Sequence, residues 1–157
     1  MGLGAGFSLG RITARLEGTY FFPRFAKAST PAPDGSARGA DVSLVAFDVD
    51  GCYAVGPGAV ELDVCAIVEP GALLAVGSGL ARNTSAIRPW IALGGSTEIL
   101  VKSLSPVTLR GGIGALLPLG RSHVRFTEID GTTNTLVDLD RPAVVSGRAV
   151  VAAGLSF

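Results

Sequence analysis

The chain has 157 residues, of which 48% are apolar and only 17% charged, with 22 glycines and a formal net charge of zero. That length suits one domain covering residues 1–157, and a balanced charge without a basic run argues against a nucleic-acid partner. No stretch approaches the roughly 18 consecutive apolar residues that a membrane helix requires, since the longest apolar runs, such as Gly111 to Gly120, are short and broken by glycine.

Helical periodicity is weak and alternation of period two dominates, so the chain is expected to be all-β. Seven strands are predicted. The first, Gly2 to Leu9, is glycine-rich but opens no helix and completes no dinucleotide fingerprint. The second, Arg11 to Phe22, sets Ile12, Ala14, Leu16, Gly18, Tyr20 and Phe22 against Arg11, Thr13, Arg15, Glu17, Thr19 and Phe21. In the third, Ser43 to Val55, an apolar face of Val45, Phe47, Val49, Tyr53 and Val55 opposes Asp48, Asp50 and Cys52. The fourth, Val60 to Val76, places Leu62, Val64, Val68 and Leu74 opposite Glu61, Asp63, Cys65, Ile67 and Glu69. The fifth, Arg88 to Lys102, divides Ile91, Leu93, Ile99 and Val101 from Arg88, Trp90, Glu98 and Lys102. In the sixth, Val107 to Leu119, Leu109, Ile113, Ala115 and Leu117 oppose Thr108, Arg110, Gly112 and Gly114. The last, Ala143 to Phe157, separates Val145, Ala149, Val151, Ala153, Leu155 and Phe157 from Ser146, Arg148, Gly154 and Ser156.

One face of each segment is therefore free of charge. A soluble β-sandwich alternates in the same way, with its apolar face inward. Two features favour a membrane barrel instead. The segments exceed the five or six residues usual for soluble strands and reach the nine to eleven or so that a tilted strand needs in hydrocarbon. The polar face is also rich in Gly, Ser and Thr and mixed in charge, as a narrow barrel interior should be. Tyr20, Phe22, Phe47, Tyr53 and Phe157 fall on the apolar face, most of them near strand ends, where interfacial aromatic girdles lie.

The connections alternate in length. Gly10-Arg11, Gly56 to Gly58 and Ser103 to Pro106 are tight, whereas Pro23 to Val42, Gly77 to Ile87 and Gly120 to Pro142 are long and polar. Short periplasmic turns and long outer loops give this pattern in outer-membrane barrels. On that assignment the first segment enters from outside, although such barrels have an even strand number. Met1 to Gly6 also lacks a basic region and a cleavage site. One strand and a signal peptide are therefore expected before Met1, making an antiparallel up-and-down transmembrane β-barrel of eight strands, seven of them visible.

Cys52 and Cys65 lie on the inner face of adjacent strands joined by a tight turn, and a structural disulfide is expected between them. With no His or further Cys nearby, neither a metal nor a cofactor is expected. Arg15, Glu17, Asp48, Asp50, Glu61, Asp63, Glu69, Glu98, Arg110 and Arg148 should form a paired charge network filling the lumen, together with Lys102. No nucleophile with a positioned base is evident, so no catalytic residue is assigned. His123, beside Ser122, is the only histidine and reads as a solvated loop residue.

The final segment resembles the terminal strand of bacterial outer-membrane barrel proteins, in which apolar residues alternate back from a last phenylalanine. Here Val151, Ala153, Leu155 and Phe157 match it, with small residues at Gly147 and Ala153 softening the pattern. The resemblance, to small barrels of the OmpA/OmpX-like class, implies recognition of this strand by the barrel-assembly machinery of a Gram-negative bacterium. It also implies a lipid-embedded protein with a structural or surface-presenting role. A pore, or a fragment of a wider barrel, is the first alternative. A lipid-modifying outer-membrane hydrolase and a soluble sandwich stand behind it.

Overall fold

The computed structural model describes residues 1–27, 39–56, 58–78, 85–104, 106–120, 125–130, 133–138 and 144–155, with the side chains of 78, 103–104, 125–130 and 133–138 excepted. The described residues form strands without helices. In chain order these are β1 (Gly2–Leu9), β2 (Ile12–Lys27), β3 (Gly39–Val55), β4 (Val60–Ser78), β5 (Ser85–Leu104), β6 (Val107–Pro118), β7 (Arg125–Asp130), β8 (Thr133–Asp138) and β9 (Ser146–Leu155). Seven of them make one sheet in the order β1-β2-β3-β4-β5-β6-β9, in which each strand pairs antiparallel with the next.

Each expected segment is present. The tight turns fall where glycine permits them: Gly10 adopts a φ of 62°, which lets Leu9 pair directly with Ile12 across two residues. The long connections are shorter than their composition suggests. β2 continues past Pro23, and the register slips between Phe21 and Arg24 before pairing resumes to Lys27 against Gly39. A proline has no N–H to give the ladder, so a bulge is one of the few places a sheet accepts it. The stretch from Gly120 to Pro142, expected as a plain loop, contains the separate β7–β8 hairpin, whose ends pair Arg125 with Asp138 and Asp130 with Thr133.

The sheet is curled into an open half-barrel. In a flat sheet β2 and β6 would stand about 19 Å apart at four strand spacings, yet Arg110 Nη2 on β6 lies 2.6 Å from Glu17 Oε2 on β2. Arg148 on β9 likewise reaches Asp48 on β3, again four strands away, at 2.9 Å. Only strong curvature brings these groups together across the concave face. Among the described residues the ring is not closed, because β1 and β9 pair with one neighbour each and not with one another.

Burial is inverted relative to a water-soluble domain. The outward positions are exposed and apolar: Leu62 is 40%, Ile91 47%, Leu109 43% and Val151 93% accessible, whereas inward-facing Asp63 is 2%. A sandwich would have gathered those aliphatic residues into its centre. The concave face holds a smaller apolar cluster, in which Ile67, Trp90, Ala92 and Leu116 pack with Leu44 and Leu73.

Candidate functional site

Alternation on long strands places the charged residues on one surface, and curvature makes that surface a cleft. Arg15 on β2 is its centre. Its Nη2 lies 2.6 Å from Glu98 Oε2 on β5 and its Nε 3.9 Å from Asp50 Oδ2 on β3. Arg110 Nε also approaches Glu98, at 3.9 Å, while its Nη2 hydrogen-bonds Glu17. Arg148 adds a weaker contact to Glu17 at 3.8 Å. Ser96 Oγ donates to Glu98 Oε1 at 3.1 Å and Trp90 Nε1 to Glu69 Oε1 at 2.7 Å. Lys102 and Glu61 pair at 2.5 Å near the short-turn end, where Lys102 is more exposed than the rest.

Cys52 and Cys65 are bonded, on directly opposed positions of β3 and β4. Arg15 Nη2 donates to both sulfurs, at 2.5 and 3.0 Å. The disulfide and the charge network are thus one contiguous structure. Cys52, Cys65 and Glu98 also lie close enough together to suggest a metal centre. The disulfide removes both thiolates as ligands and the Arg15 guanidinium occupies the space, so this donor set does not fit a cation.

Glycine makes room for the long side chains. A Cβ on Gly112 would stand 2.6 Å from Glu98 Cγ and 2.8 Å from the Thr97 carbonyl oxygen. One on Gly6 would meet Arg15 Cγ at 2.7 Å. Sequence reasoning placed the inward charges, Gly112 and Trp90 on the polar face, but not the room that Gly6 and Gly112 leave for long side chains, nor Ser96 and Trp90 as donors. The signal was present, as small residues in register with long ones on the neighbouring strand.

The registers reveal a row of like charge. Glu17 is opposite Asp48, and the flanking pairs Ala46–Gly71 and Val49–Val68 set Asp48 level with Glu69. Three acids thus stand side by side on β2, β3 and β4. Acids directly opposed across a ladder repel, and the guanidinium groups of Arg110 and Arg148 arrive from the far wall to offset this. Neither partner choice could be read from the sequence, because both depend on the curl.

Of the terminal-strand residues, Val151, Ala153 and Leu155 lie on the outward, exposed side of β9. Phe157 lies outside the described residues, as do Ser122 and His123. No protein-family model, curated protein or solved structure matches the chain. Function has to be argued from the sheet itself.

Proposed function

We propose that this protein is an outer-membrane β-barrel of structural or surface-presenting role, with a lumen filled by ion pairs. The inverted burial carries the reading. An apolar face that runs over the outward side of the whole sheet, from Leu16 and Phe47 through Val68 and Leu93 to Ile113 and Val151, is unstable against water and marks a lipid or protein contact. Lipid suits it best, because strands of 16, 17, 19 and 20 residues in β2 to β5 exceed what hydrocarbon requires. Antiparallel pairing also satisfies, between the two edge strands, the backbone that a bilayer cannot hydrate. Exposed Tyr20 and Phe22, in edge-to-face contact at 5.4 Å, suit the interface.

The alternative of a pore is disfavoured by the contacts Arg110–Glu17, Arg148–Asp48 and Arg15–Glu98, which cross the space an ion would use. Partners are then lipid and, through Val151, Ala153 and Leu155, the assembly machinery. Recombinant protein refolded with lipid vesicles should resist alkaline extraction and migrate differently in gels before and after boiling. Planar bilayers containing it should show no steady conductance. Full solubility without detergent would remove the reading, and a stable open conductance would transfer it to the transport class.

A further inference from the structure

The described sheet leaves two edges and one row of charge incomplete, and the two vacancies coincide. If its strands occupy successive positions of a ring, the ion pairs that cross the concave face span three to five positions and centre on four: Arg15 with Glu98 at three, Arg110 with Glu17 and Arg148 with Asp48 at four, and the longer Arg148–Glu17 contact at five. Groups four positions apart face each other across a diameter only in a ring of eight. β1 and β9 stand first and seventh in an antiparallel order, so they run in the same direction. They cannot pair antiparallel with each other, and one strand of opposite direction restores the alternation.

The same diameters specify what that strand carries. Acid on β2 meets base on β6, and acid on β3 meets base on β9. β4 is next, and the position facing it is the empty one. There Glu69 is 1% exposed and its Oε2 has no hydrogen-bond partner, although Oε1 receives the Trp90 N–H. A buried carboxylate oxygen without a donor is desolvated and uncompensated, and a cation across the lumen would relieve this.

We infer that the gap between β1 and β9 accepts a single antiparallel β-strand bearing an inward-facing lysine or arginine level with Glu69. The occupant has alternating aliphatic and small polar residues over about ten positions, with the cation among the small ones. A second copy of this sheet does not fit. Placed upright it sets β9 parallel to the neighbouring β1, and paired antiparallel it is upside down. The inference goes beyond the membrane reading but rests on it for the occupant's length and for excluding an inverted copy, while the strand's direction and its cation rest on edge direction and charge.

Dye-labelled peptides of that pattern, differing only in one inward Arg or Glu, would be titrated onto the full chain refolded in detergent micelles. The arginine peptide should bind at least about tenfold more tightly and slow proteolysis of β1 and β9. In Glu69→Gln the preference should disappear while binding persists. Circular dichroism of the protein alone reports separately whether the sheet has formed. Equal binding of both peptides to a formed sheet overturns the charge assignment. No binding, or a dimer whose mass the peptides leave unchanged, overturns the strand.

Discussion

Arg15 holds together groups that would otherwise repel or stand desolvated. Glu98 and Asp50 are almost fully buried, and the disulfide lies against the same guanidinium. Removing one partner of a buried pair leaves the other uncompensated, which costs about 3–5 kcal/mol. Arg15→Ala should therefore lower the unfolding free energy in detergent by about that amount, as read from urea midpoints. Arg15→Met combined with Glu98→Gln should recover part of the loss, because Glu98 then carries no stranded charge and only Asp50 is left without its guanidinium. A different cost attaches to Gly112. Its Cβ direction is filled by Glu98 Cγ and by backbone, and backbone gives way poorly. Gly112→Val should destabilise by about 1–3 kcal/mol and disturb the Arg15–Glu98 pair, which amide exchange on β5 and β6 would report.

At the scale of elements, the disulfide fixes the β3–β4 register over a separation of 13 residues. In the chain-entropy model a loop of this size contributes about 3 kcal/mol, chiefly by restricting the unfolded chain. Cys52→Ser with Cys65→Ser should show a loss near that value in equilibrium unfolding while leaving the folded hairpin in place. Strands and their faces were legible in the sequence, because charge and β-branched residues mark opposite sides with period two. Strand ends were less so. Pro23 reads as a stop, although a bulge carries β2 through it. The Asp, Thr and Asn residues between Gly120 and Pro142 signal turns, and they hid a hairpin in which Asp130 and Asp138 close strands. Of the lumen, membership could be read but not pairing. Residues four strands apart meet through curvature, and alternation carries no information about curvature.

For the molecule as a whole, the question is which medium the outward face prefers, and a single arginine placed at different heights answers it. Val68 lies in the middle of β4, level with Leu93 of β5, and both are outward and exposed. Val76 lies on the same face near the long-connection end. In a bilayer an arginine at mid-depth costs about 2–4 kcal/mol and near the interface about 0–1. Val68→Arg should thus reduce stability in lipid vesicles by several-fold more than Val76→Arg, as measured by reversible denaturant unfolding. If the same face met water, both substitutions would be close to neutral, since arginine in solvent loses no hydration and exposed valine contributes little. If it met another protein chain, the cost would follow that contact's outline and not height along the strand. Dependence on depth is the property that lipid alone imposes, because hydrocarbon varies along one axis and is uniform in the other two.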